Sequence, residues 1–312
     1  MPIEQDMNAR KAETRPVESV RVLLSGIIDY AGLFPPSQLS MPEAVVNYAT
    51  YRSSNYSWML GRFVLPVSRL DEFVESARDM IERAAEEPWR LAVVAGEDIN
   101  ETIRTVREFN RRHATGGVVA DVLEVRANTV SKIENTVAAM PPGITTYFEI
   151  SQGEALADLV TTLALKKQRA KIRTGGVTQG DFPSSKAIIR FVRTCMAANV
   201  PFKATAGLHH PLRCFRPLTY AANAPKGTMH GFLNMLMMTG FARESFRHSL
   251  LEELMEEEFE EVFRFDELGV QWRDQHVMTL THINSLRTRG MQSFGSCSFD
   301  EPIADLQAMG LL

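Results

Sequence analysis

Two textures alternate along the chain. Short apolar, β-branched runs such as VLLSGIIDY (22–30) and WRLAVVAG (89–96) are each followed by a longer stretch with apolar residues at helical spacing. Brief apolar runs bounded by turn residues mark buried strands, and a 3.6-residue period marks an amphipathic helix. The same pattern predicts strands over 58–66, 118–127, 144–151, 170–176 and 201–208. Between them it predicts helices in MPEAVVNYATYRSS, RLDEFVESARDMIERAAE, NETIRTVREFNRRHA, TVSKIENTVAAM, GEALADLVTTLALKK and SSKAIIRFVRTCMAAN. Ser40, Asn128 and Ser184 stand where N-caps belong.

Strands separated by helices must run parallel, because each return trip needs a crossover. The regular recurrence of the strands predicts one α/β unit, a (β/α)8 TIM-type barrel, which needs about 250 residues. The competitor is an open doubly wound sheet, but DYAGLFPPS stands where its glycine-rich phosphate loop would follow the first strand. EEVFRF (260–265) is the candidate eighth strand. The barrel is thus expected over 17–265, after a disordered tail over 1–16. Residues 266–312 are expected to be an appended helical segment packed on it, with Cys297 a packed thiol rather than a nucleophile.

Composition narrows the function classes. Hydrophobic residues make up 45% and charged residues 23%, the proportions of a globular chain with a large core. A net charge of −4 without a basic stripe excludes nucleic acid as an expected partner, yet leaves room for a local cationic pocket and a small anionic substrate. The polar start MPIEQDMNARKAETRPVESV is no secretory signal. GFLNMLMMTGF is too short to span a membrane. Three cysteines without C-x-x-C spacing suit a reducing compartment, so the expected location is the cytoplasm. Nothing in the sequence calls for a cofactor, and homo-oligomerisation is the usual expectation for enzymes of this kind.

In parallel barrels, chemistry sits where strands end and run into the following loops. Polar residues in those positions are Asp29, Asp121 and Glu124, Glu149, Lys171 and Arg173, and Lys203 and Thr205, followed by His209 and His210. Strand alternation puts Lys171 and Arg173 on one face, and Lys203 and Thr205 on one face, leaving Ile172 and Ala204 for the helix layer. An unpaired charge is too costly under helices, so both lysines should face the barrel axis. Neighbouring strands lie roughly 5 Å apart. Repulsion and desolvation are therefore expected to lower a lysine pKa there. A partly neutral Lys171 can attack a carbonyl to form an imine, with Lys203 tuning it and Glu149, Asp29 or His209 moving protons. Arg173 suits a bidentate grip on phosphate or carboxylate. Thr174, Gly175, Gly176, Thr205, His210 and Arg213 complete the expected substrate contacts.

Two other readings stay open. One is an isomerase or metal-assisted lyase using His209, Glu149 and Asp29, although the adjacent histidines lack a regular metal-ligand spacing. The other is a non-catalytic barrel that binds an anion. KIRTG (171–175) and KATAG (203–207), on consecutive predicted strands, resemble the deoxyribose-phosphate aldolase family of class I aldolases. That resemblance implies an imine-forming Lys171, a pKa-lowering Lys203 and a strand-four acid at Asp121 or Glu124. IDYAGLFPP, FKATAGLHHP and SFGSCSFDEP also resemble segments of uncharacterised bacterial proteins of similar length, a likeness that implies no activity.

Overall fold

The computed structural model describes residues 15–81, 87–244 and 246–312. Its strands are β1 (Ile28–Tyr30), β2 (Leu60–Pro66), β3 (Trp89–Val94), β4 (Val118–Arg126), β5 (Thr145–Glu149), β6 (Arg169–Arg173), β7 (Phe202–Thr205), β8 (Cys214–Pro217), β9 (Lys226–Met229), β10 (Phe263–Phe265), β11 (Gly269–Trp272), β12 (His276–Thr279) and β13 (Met291–Ser296). The helices are α1 (Glu18–Leu24), α2 (Met41–Arg52), α3 (Leu70–Ile81), α4 (Ile99–His113), α5 (Val130–Ala139), α6 (Leu156–Leu165), α7 (Ser185–Ala197), α8 (Phe232–Arg243), α9 (His248–Met255), α10 (Leu280–Arg289) and α11 (Asp300–Ala308). Eight strands close a barrel in the order β1-β13-β7-β6-β5-β4-β3-β2. Every neighbouring pair in it is parallel. The expected TIM-type barrel is therefore present. Among the described residues, no helix is long and apolar enough to cross a membrane.

Local sequence explains several of its elements. Ser40 and Glu43 form a reciprocal capping box at the start of α2, and Ser184 caps α7 by accepting from the Ala187 N–H. At α5 the cap is Thr129, which accepts from Lys132, one residue past the expected Asn128. The apolar core lies mainly between the strands and the helices, where Ile172 and Ala204 are fully buried. Inside the barrel the apolar part is a separate small cluster of Val64, Ala92, Val122 and Tyr147. The remaining interior positions are free for polar chemistry.

Three expectations need correction. The first strand begins at Ile28, because Val22–Leu24 belong to α1, which buries Val20, Leu23 and Leu24. The eighth barrel strand is β13, at 291–296, and not 260–265. Phe263–Phe265 instead forms the edge of a three-stranded antiparallel sheet with β11 and β12. The barrel consequently extends past residue 265, and 266–312 is part of its closure rather than an addition to it. β13 escaped detection for a physical reason. Its sequence MQSFGS gives small or polar residues to the interior, so it shows no β-branched run. Of the expected tail over 1–16, residues 1–14 lie outside the described residues; residues 15–17 precede α1 without regular structure.

Candidate active site

The pairing register brings the polar strand ends together. Glu149 is level with Lys171, and Lys171 with Lys203. One turn of alternation later Arg173 is level with Thr205, Thr205 with Gly295 and Gly295 with Asp29. All these side chains face the axis, as the alternation predicts.

They form a chain of alternating charge. Lys203 Nζ lies 2.5 Å from Asp29 Oδ2 and 2.6 Å from Glu124 Oε1. Lys171 Nζ takes the other oxygen of Glu124 at 2.7 Å and Glu149 Oε2 at 2.9 Å. Glu149 Oε1 then meets Arg126 at 3.4 Å and Arg173 at 3.8 Å. Asp29 is completed by the Ser293 hydroxyl, which donates to Oδ2 at 2.8 Å, and by the Arg62 N–H, which donates to Oδ1 at 2.8 Å. Of the two strand-four acids considered, the lysines meet Glu124. Asp121 lies nearer the N-terminal end of β4 and binds Arg62 and Arg90.

Shared carboxylates reverse one expectation. Burial acts to lower the Lys203 pKa, but Asp29 and Glu124 outweigh it and hold the amine well above its ordinary value. Lys203 is thus a fixed ammonium. Burial would raise the Glu124 carboxyl, yet the two lysines bring it down to about 2. Glu149 is likewise lowered against burial, chiefly by Lys171.

A cavity of about 640 Å³ opens above this chain, lined by Lys171, Glu124, Glu149, Arg126, Lys132 and Arg173. On other sides Phe34, Pro35, Val64 and Val94 give it apolar walls, a mixture typical of small-molecule sites. Gly176, Thr205, His209 and Cys297 also reach it. Lys203 and Asp29, each 1% exposed, lie beneath and do not line it. Asp29 therefore holds Lys203 rather than facing a substrate, which removes one of three groups from the isomerase or metal-assisted reading.

Four expected substrate contacts fall elsewhere. Thr174 is fully buried, and its hydroxyl donates to the Ala206 carbonyl at 2.6 Å. It clamps the turn after β7, where Ala206 and Gly207 both have positive φ. Gly175 serves close packing: a Cβ there would stand 2.5 Å from Phe182 and 2.9 Å from the Gly207 Cα. The two loops above the lysines can touch only because both residues are glycine. Arg213 pairs with Glu258, and its N–H donates to Asn234 Oδ1 at 2.9 Å. His210 Nδ1 lies 2.6 Å from Asp305 Oδ2, away from the cavity.

The histidine doublet is held by one helix face. Glu301 and Asp305, four residues apart on α11, meet His209 at 3.1 Å and His210 at 2.6 Å. Among the described residues, no group of three or more His, Cys, Asp or Glu is placed to hold a metal. Sequence reasoning missed Arg126, Lys132, Tyr220 and Glu301, and it read Cys297 as a packed thiol, whereas the residue lines the cavity. Arg126 was legible, because it shares the Glu124 face two residues on. The end of β13, which brings Cys297 to the cavity and Glu301 to His209, lies outside the strand expected to close the barrel, and Tyr220 comes from the turn between β8 and β9, which no periodicity marks.

No family model matches the sequence, and no curated protein compared with it matches either.

Proposed function

We propose that this protein is a carbon–carbon lyase of the class I aldolase type, forming an imine between Lys171 and a small anionic carbonyl compound. The observation that carries the reading is the position of one amine. Lys171 borders the cavity between two carboxylates, while Lys203 is locked as an ammonium just below. Two lysines and two arginines face three carboxylates, so the set holds one positive charge in excess. Of these cations, Lys171 is the primary amine that borders the cavity, and a guanidinium is no carbonyl nucleophile.

Chemistry follows from that arrangement. The Lys171 nitrogen attacks the carbonyl carbon, the oxygen takes up a proton, and loss of water leaves a protonated imine. Glu149, 2.9 Å from Nζ, is placed to carry these protons. The cationic imine then draws electrons from the adjacent carbon–carbon bond as a hydroxyl proton leaves to a base. An aldehyde departs, and an enamine remains. Protonation at carbon and hydrolysis return the free lysine and the second carbonyl product. Arg126, Lys132 and Arg173 supply positive charge for a phosphate or carboxylate on the substrate.

Borohydride reduction with a panel of small keto and aldehyde phosphates and carboxylates tests this. The expected result is a stable mass increase on the Lys171 peptide that is absent from Lys171→Met. An adduct on another lysine, or none with any compound, overturns the reading. The complete pairing of both lysines favours a second one, an anion-binding barrel without catalysis. It would show tight binding of an unchanged anion and no adduct.

A further inference from the structure

Another wall of the cavity carries groups that the imine scheme does not need. Cys297, just past the end of β13, and His209, from the loop after β7, both line it. His209 Nδ1 lies 4.0 Å from Cys297 Sγ and 3.1 Å from Glu301 Oε2. The Tyr220 hydroxyl donates to Glu301 Oε2 at 2.8 Å and lies 3.7 Å from the same sulfur. Ser37 adds a hydroxyl that donates to the Cys297 carbonyl at 3.2 Å. Four residues, Ser37, His209, Tyr220 and Glu301, thus gather around one cysteine. Packing alone does not call for an imidazole, a carboxylate and a phenol around a buried sulfur, because each polar group costs desolvation.

Cys195 provides an internal contrast. It sits in the apolar face of α7, and burial pushes its thiol far above the ordinary value. Burial pushes Cys297 upward too, but the hydrogen bond and charge of His209 overcome it, and the thiol sits below its ordinary value. Burial also opposes charge on His209, yet Cys297 and Glu301 raise the imidazole to about 9. The pair favours thiolate and imidazolium, the combination that makes a cysteine nucleophilic. Tyr30 and Tyr220, the other titratable groups facing the sulfur, are both held protonated, mainly by burial.

We propose that Cys297 is a second nucleophile of the cavity, one that captures small anionic aldehydes as a thiohemiacetal. The sulfur attacks the aldehyde carbon, and a C–S bond forms as the C=O π bond opens onto oxygen. The His209 imidazolium gives its proton to that alkoxide. Nothing is oxidised or reduced, and reversal releases the aldehyde with both groups restored. The cations that would hold a substrate anion, Arg126, Lys132 and Arg173, border the same space. This capture needs no imine at Lys171 and rests only on the shared cavity.

The test is alkylation of the intact protein by iodoacetamide at neutral pH, read cysteine by cysteine by mass spectrometry. Cys297 is expected to react about tenfold or more faster than the half-buried Cys214, whose thiol burial raises to about 11. Glu301→Gln, which keeps the side-chain shape, should slow Cys297 several-fold with the circular dichroism unchanged. Glyoxylate should protect Cys297 reversibly, and equally in Lys171→Met, where no imine can form at that position. With ¹³C-labelled glyoxylate, Lys171→Met should show a protein-bound thiohemiacetal carbon signal, distinct from that of the free hydrate, that the Lys171→Met, Cys297→Ser double variant lacks. Cys297 reacting no faster than Cys214, or protection that disappears in Lys171→Met, overturns the proposal whatever the outcome at Lys171.

Discussion

The strands carry two sets of paired charges, and only one borders the cavity. Toward the N-terminal ends of the strands, Asp121 accepts both guanidinium bonds of Arg62 at 2.7 and 2.9 Å, with Arg90 on its other side. Toward the C-terminal ends, Asp29, Lys203, Glu124, Lys171 and Glu149 alternate in sign. Val64, Ala92, Val122 and Tyr147 form the apolar cluster of the interior. The lower set is built from arginine, which keeps its proton, around a carboxylate held by fork geometry. The upper set is built around two primary amines, and one of them, Lys171, borders the cavity. Ion pairing is common to both, while Asp29, Glu124, Lys171 and Lys203 are also buried. What separates a brace from a candidate site is an ionisable amine with room for a substrate.

That contrast can be broken by three measurements. Lys203→Met leaves Asp29 and Glu124 buried with fewer counter-charges, and the expected loss is about 3–5 kcal/mol in urea unfolding. Arg62→Met should cost less, about 1–3 kcal/mol, because Arg90 still serves Asp121. Equal losses would erase the distinction between the sets.

Acid titration sharpens the same comparison. The folded Glu124 carboxyl sits at about 2 against an ordinary 4.5. A depressed folded pKa contributes stability that is present above the unfolded value and is lost as pH falls from about 4.5 toward 2. Unfolding at pH 7 and pH 3 should show this loss, on the order of 2 kcal/mol, and Glu124→Gln should flatten it. An unchanged slope would remove Glu124 from the centre of the upper set.

The smallest effect belongs to the cavity wall. Arg173 is half exposed, with 49% of its side chain accessible, and its nearest ion-pair distance, to Glu149, is 3.8 Å. Arg173→Gln should leave stability within about 0.5 kcal/mol. It should weaken inorganic phosphate binding about tenfold, roughly 1.4 kcal/mol by titration calorimetry. A stability loss without a binding loss would make Arg173 part of the brace.

Much of the barrel was legible before any coordinates. Seven strands carry apolar runs on their helix-facing side, such as Ile172 on β6 and Ala204 on β7, because burial under helices demands it. The axis-facing placement of Lys171 and Lys203 was legible for the same reason: the alternative was an unpaired charge in an apolar layer. β13 was not legible. Its neighbours in the barrel supply the polar surroundings that let MQSFGS be a central strand, and no local pattern announces this. Without β13 nothing marks Glu301 or shows that Cys297, legible only as a packed thiol, meets His209; these contacts span 92 and 88 residues of sequence.

Residue order alone therefore determined a parallel barrel with two lysines on one interior face, since periodicity and the cost of burying charge act over a few residues. Tertiary structure decided which charges neutralise one another, and hence that Lys203 is held protonated. It also decided that Glu124, rather than Asp121, bridges the lysines, and that a thiol and an imidazole share their cavity. Ionisation depends on through-space distances of a few ångströms, and only the closed barrel sets those distances.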